Sequence, residues 1–102
     1  MAIPKLPDDA VLYRQTAVFT EATVPGGLLN DHRTKDGTWG MIRVLEGKLA
    51  YRIKDSRRPA IEFVLTPKII PAVIEPTITH EIEPCGSVRF LVEFYRRGGT
   101  SP

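Results

Sequence analysis

Apolar and polar residues alternate along several short stretches of this chain. "TWGMIRVL" (38–45) sets Thr38, Gly40, Ile42 and Val44 on one side and Trp39, Met41, Arg43 and Leu45 on the other. "KLAYRIK" (48–54) groups Leu49, Tyr51 and Ile53, and "TITHEIE" (77–83) groups Ile78, His80 and Ile82 against Thr77, Thr79, Glu81 and Glu83. A period of two marks a half-buried strand. Further runs rich in β-branched and aromatic residues cover 10–20, 60–66, 68–75 and 87–96, with "VPGGLLND", "EG", "DSRRP", "TP", "EP" and "PCGS" as breakers. No stretch has the period of a long amphipathic helix. The pattern predicts an all-β sandwich or small barrel.

Two breakers read as tight hairpins. A two-residue turn at Glu46–Gly47 sets Val44 opposite Leu49, so that Ile42, Val44, Leu49 and Tyr51 line the interior. A symmetric turn through "PCGS" sets His80 opposite Leu91 and brings Glu93 onto the face of His80. A one-residue bulge there reverses this and turns Glu93 outward. Both registers stay open.

Composition narrows the class. The 102 residues suit one domain, 42% are hydrophobic, and 14 basic against 12 acidic residues leave a net charge of +2. That charge is too mild to indicate nucleic acid. "KDSRRP" (54–59) and "FYRR" (94–97) lack the aromatic interleaving of a nucleic-acid surface and read as solvated charge. Cys85 is the single cysteine, so no internal disulfide forms, in keeping with a reducing cytoplasm. The first residues lack the apolar core of a signal peptide, and no run approaches a membrane helix. A cytoplasmic soluble protein is expected, with 1–9 as an extension, 10–96 as the domain and 97–102 as a flexible tail.

His32 and His80 are the only imidazoles. A catalytic zinc takes three protein ligands and a water, so a carboxylate would complete the set, from Glu93, Glu83, Glu81, Glu75 or Asp36. Two histidines and one carboxylate suit zinc or non-haem iron, and His32, His80 and Glu93 form the candidate metal set. The competing reading makes His80 a hydrogen-bonded core residue and His32 a loop or cap residue. Trp39 by stacking, Arg43 by its planar fork and Tyr51 by its hydroxyl are candidate ligand-binding residues. Their ordinary roles are packing, a surface ion pair and packing with a wet hydroxyl. Cys85 sits in a turn, where a thiol is open to solvent.

"HRTKDGTWGMIRVLEGKLAY" (32–51), read as H-x-T-x-x-G-x-W-G followed by V-L-x-G-x-L, resembles the small cupin-like domain of the TehB-type tellurite-resistance family. "IEPTITHEIE" (74–83) is similar to that family's second motif, and "EFY" (93–95) to its closing strand. His32, Gly37, Trp39, Gly40 and Gly47 match the first motif; Glu75, Pro76, His80 and Glu83 match the second. The resemblance spans about residues 10–96. It implies a small jelly roll, a double-stranded β-helix, in which the two motifs meet at one mouth of a barrel and bring His32 toward His80. Thr79 replaces the family's aromatic before the second histidine, implying a pocket that is more open or differently shaped. The usual cupin H-x-H-x(3–4)-E group is absent: Thr34, Lys35 and Asp36 stand at its histidine positions and Gly40 at its glutamate. The methyltransferase of the family is a separate, larger domain, and no Gly-rich nucleotide loop occurs here.

The expectation is a cupin-like protein, homodimeric, that binds a divalent metal or small ligand in its barrel and serves a stress or toxic-oxyanion response. A metal-dependent oxygenase or isomerase and a non-enzymatic dimeric interaction module are the alternatives. Neither nucleic acid nor membrane is an expected partner.

Overall fold

A computed structural model describes residues 5–29, 32–69 and 71–98. Among the described residues the chain is all-β, with a 3-10 turn at Gly26–Leu28. Its strands are β1 (Ala10–Gln15), β2 (Phe19–Thr20), β3 (Trp39–Ile53), β4 (Ile61–Leu65), β5 (Ala72–Ile74) and β6 (His80–Arg97). They form one antiparallel sheet of order β1-β6-β3-β4, with β2 also pairing β6 and β5 also pairing β3.

The two expected hairpins do not form. Glu46–Gly47 lies inside the 15-residue β3, and "PCGS" lies inside the 18-residue β6. The two long strands pair with each other from Trp39↔Tyr95 to Ile53↔His80, and both breakers fall opposite one another as bulges in that ladder. The register shifts between Val44 and Glu46 and again between Gly47 and Leu49, where Cys85, Gly86 and Ser87 bulge out of β6. Gly47 and Gly86 have φ of +81° and +84°, a conformation that serves a bulge as readily as a turn. A Cβ on Gly47 would run into the carbonyl oxygen of Ser87, so only glycine lets the strands approach there.

The paired bulges bend the sheet and switch the parity of the inward residues in β3, while β6 keeps its own parity. Before the bend the inner residues are Ile42 and Val44, facing Phe90 and Val92; after it they are Leu49, Tyr51 and Ile53, facing Ile82 and His80. Burial of Ile42, Val44, Leu49 and Tyr51 agrees with the alternation. Both arms contribute to one apolar cluster, joined by Leu65 and Ile74 and closed by Phe19, Val24, Leu28 and Leu29. Phe19 meets Phe90 edge to face, with ring centroids 5.7 Å apart.

The sheet does not close into the expected barrel. Among the described residues β1 pairs only with β6 and β4 only with β3, and closure requires the end strands to meet. The run 10–20 is split: beyond Gln15 the chain leaves the ladder, and Thr16 and Val92 exchange Thr16 N–H to Val92 O (2.9 Å) and Val92 N–H to Thr16 Oγ1 (3.0 Å). Of the expected tail, Arg97 ends β6 and the Gly98 N–H donates to Asp9 O at 2.7 Å; residues 99–102 lie outside the described residues, as do 1–4 of the expected extension. Among the described residues no helix is long and apolar enough to cross a membrane.

Candidate functional site

His80 opens β6 on the inner face, 2% exposed, between Ile78 and Ile82. On one side it pairs with Ile53 of β3. On the other it exchanges two backbone hydrogen bonds with His32: His32 N–H to His80 O at 2.7 Å and His80 N–H to His32 O at 2.8 Å. Directly opposed residues of an antiparallel pair project their side chains to the same face. The two imidazoles therefore meet edge to face, with centroids 5.3 Å apart and planes at 85°. Tyr51 packs on the other side of His80 at 5.6 Å and stacks on Phe63 at 6.5 Å.

Neighbouring segments fix this arrangement. The Thr77 N–H donates to Thr34 O at 3.0 Å, and the Thr34 hydroxyl donates to Thr38 O at 2.8 Å, tying 32–38 against the approach to β6. Thr77 has φ of +63°, costly for a β-branched residue. Arg57 holds it there by donating from Nη2 to Thr77 O at 2.6 Å, while Asp55 chelates Arg57 and accepts the Thr79 N–H at 2.9 Å. The carboxyl of Asp55 is held far below the usual carboxylate range, first by Arg57 and then by the backbone N–H donors.

Both histidines are neutral at pH 7. Burial pushes His80 down to about 4, and burial lowers His32 in the same direction. His80 Nδ1 lies 3.2 Å from Ile78 O, and a carbonyl only accepts, so Nδ1 carries the proton. Nε2 is then an unprotonated acceptor and a possible donor to an ion.

Beneath the pair is a cavity of about 280 Å³ between the sheet and the segment 14–28. Its walls are chiefly apolar, from Ile42, Ile74, Ile82, Val92, Phe94 and Phe19, with His32, His80, Thr16, Thr34 and Arg14 as its polar groups. A Cβ on Gly40 would lie 3.1 Å from Ile74 Cδ1, so glycine here leaves room for the wall, and no carboxylate stands at that position. The Glu21 carboxylate accepts the Val88 N–H at 2.9 Å and pins the covering segment to the bulge.

The structure brings together only part of the expected site. His32, His80 and Tyr51 converge. Glu93 does not join them: it lies on the outer face opposite Met41, because β6 passes its bulge without turning back. There its Oε1 accepts from Arg43 Nε at 2.6 Å and from the Tyr95 hydroxyl at 3.1 Å. Trp39 and Arg43 share that outer face and do not reach the cavity. Of the other carboxylates considered, Glu81 and Glu83 are engaged with Arg52 and Glu75 with Arg58, while Asp36 is exposed in the turn before β3. Among the described residues no three His, Cys, Asp or Glu side chains gather as a metal site. Sequence reading missed Arg14, Phe19, Leu28 and Phe94 as cavity walls. The apolar Val24, Leu28 and Leu29 within "VPGGLLND" were the available signal of a covering segment.

Comparison with known proteins agrees with this geometry. The TehB-like domain model matches residues 14–92, a span that includes both histidines. The chain is 32% identical over 77 residues to a probable S-adenosyl-L-methionine-dependent methyltransferase TehB of Haemophilus influenzae; the match covers 74% of this chain and 27% of that protein. The crystal structure of TehB from Haemophilus influenzae superposes with a TM-score of 0.80 at 29% identity, covering 88% of this chain and 32% of that one. A crystal structure of an Escherichia coli K12 protein has the same fold, with a TM-score of 0.80 at 20% identity over 93% of this chain and 98% of its own. The chain thus spans about a quarter of the curated relative's length. Shared sequence through both histidine segments and a shared fold lead to one assignment: this chain belongs to the TehB-like domain family.

Proposed function

We propose that this chain is a small-ligand-binding domain whose ligand enters the cavity beneath His32 and His80. The observation that carries this reading is the cavity itself: about 280 Å³ and chiefly apolar in its walls, with Arg14, Thr16, His32, Thr34 and His80 as its few polar groups. A concave apolar site with sparse, placed polar groups is the usual form of a small-molecule site. We read the bent sheet as a cupin-like small jelly roll and the role as one in cytoplasmic stress or toxic-oxyanion response. In the longer relatives, which bear the name of methyltransferases, the domain would serve a second domain by holding such a ligand. The exposed Val11, Leu12 and Val64 on the edge strands β1 and β4 support a homodimer formed through an edge.

The test is a titration of the protein with octanoate and with 1-octanol, followed through the methyl resonances of Ile42, Ile74, Ile82 and Val92. Saturable shifts with at least one probe, lost in a folded Val92→Phe variant that fills the cavity, are expected. No saturable shift with either probe overturns the reading.

A divalent metal, zinc or iron, is a second reading, favoured by the neutral imidazole pair. Two nitrogens fall short of the three protein ligands of a catalytic zinc, so the third donor would come from the ligand. Oxygenase or isomerase chemistry would need that same ion. Elemental analysis of tag-free protein, with zinc affinity compared in His80→Ala, tests it; no bound metal and unchanged affinity would remove it.

A further inference from the structure

We infer that the cavity's ligand is an amphipathic carboxylate, its apolar tail among Ile42, Ile82 and Val92 and its anionic head at Arg14. This rests on the cavity being a ligand site and names the ligand's class. Over most of the surface the cations face carboxylates: Arg43 with Glu93, Arg52 with Glu81 and Glu83, Arg57 with Asp55, Arg58 with Glu75, Arg89 with Glu46. At the mouth of the cavity the pattern changes. A second hollow of about 340 Å³ adjoins it, and Arg14, His32, Thr34 and Phe94 line both. Its charged lining is Arg14, Arg33 and Lys35, all of one sign. Arg96 lies close by, its guanidinium 5.2 Å from the centre of the Tyr13 ring that also lines the hollow. Among the described residues none of these four cations forms an ion pair.

Arg14 stands at the junction. Its guanidinium lies 5.9 Å from the centre of the Phe94 ring, which forms a wall of both hollows. That contact leaves the edge of the planar fork free to take a carboxylate through two parallel hydrogen bonds. An anion there gains from three further positive charges, whereas the deeper space has few polar groups to hold it. A head at the rim and a tail inside satisfy both environments. A bare inorganic oxyanion would use only the rim.

The test compares octanoate, 1-octanol and inorganic phosphate by calorimetry on the intact chain and on Arg14→Gln, with Arg89→Gln as a control away from the cavity. Octanoate is expected to bind on the order of tenfold more tightly than octanol, the worth of a charge-assisted hydrogen bond. Arg14→Gln should remove that preference; Arg89→Gln should leave both affinities unchanged. Equal affinity for octanoate and octanol, or an octanoate affinity untouched in Arg14→Gln, overturns the carboxylate assignment and leaves the cavity reading standing. Phosphate binding as tightly as octanoate also overturns it, because the tail would then contribute nothing. Binding of neither octanol nor octanoate overturns the cavity reading itself.

Discussion

His32 and His80 lie side by side across a two-bond antiparallel bridge, their rings edge to face at 5.3 Å. Forty-eight positions of sequence separate them, yet the backbone alone fixes their neighbourhood. Whatever chemistry they perform is exercised by neutral imidazoles over an apolar space.

Their neutrality has a signature in stability. Unfolded, His80 takes a proton near its ordinary 6.5; folded, it resists until about 4. Between these values the unfolded state binds more protons, so stability is full above about pH 6.5, falls as the pH drops and levels off below about 4. The loss across the window is roughly 3 kcal/mol, and His32 acts in the same direction. Urea unfolding at pH values across the window should reveal it, and His80→Gln should flatten the dependence. An unchanged slope in that variant would assign it elsewhere.

The bulge can be tested through its two glycines. Gly47→Ala must accept both a left-handed backbone and a collision with the Ser87 carbonyl, and should cost about 3 kcal/mol or more. Gly86→Ala meets nothing within 4 Å and should cost only about 1 kcal/mol, the backbone share. Denaturation midpoints giving equal losses would contradict the close approach.

The Asp55–Arg57 clamp should control order at the entrance to β6. In Asp55→Ala the Thr79 N–H loses its acceptor, and Arg57, which donates to Thr77 O, loses the carboxylate that holds it in place. Faster hydrogen exchange at Thr79 and at His80, with β1 unaffected, is expected. Because the Asp55 carboxyl titrates well below its usual range, the clamp's stabilisation is fully present above ordinary carboxylate values and is lost progressively as the pH falls below them. Exchange rates unchanged at Thr79 would deny the clamp its role.

The outer face offers the converse experiment. Glu93→Gln disturbs the Arg43–Glu93–Tyr95 contacts and should cost about 1 kcal/mol, since Arg43 is partly in water. Cavity binding, and any zinc binding at the histidines, should be unaltered. A loss of zinc affinity in this variant would restore Glu93 as a ligand.

Much of the core was legible in the sequence, because strict alternation in 38–45, 48–54 and 77–83 assigns Ile42, Leu49, Tyr51, Ile78 and His80 to one face. The strand ends were not. A glycine with positive φ, preceded by Glu or Cys, can close a hairpin or open a bulge, and only the partner strand decides between them. Here the two breakers oppose each other, so each strand bends instead of ending. That choice also decided Glu93, whose face depends on whether β6 turns back. The cavity was hidden for another reason: much of its wall comes from 14–28, which has no periodic pattern to reveal which side packs inward. The family motifs foresaw the meeting of the histidines but not the arginine beside them.

The most direct measurement is the methyl-resonance titration of the cavity with octanoate and octanol. Saturable shifts confined to Ile42, Ile74, Ile82 and Val92, abolished by Val92→Phe, are the expected result. Linear, unsaturated shifts spread over the surface with both probes would show that nothing is held beneath the histidine pair.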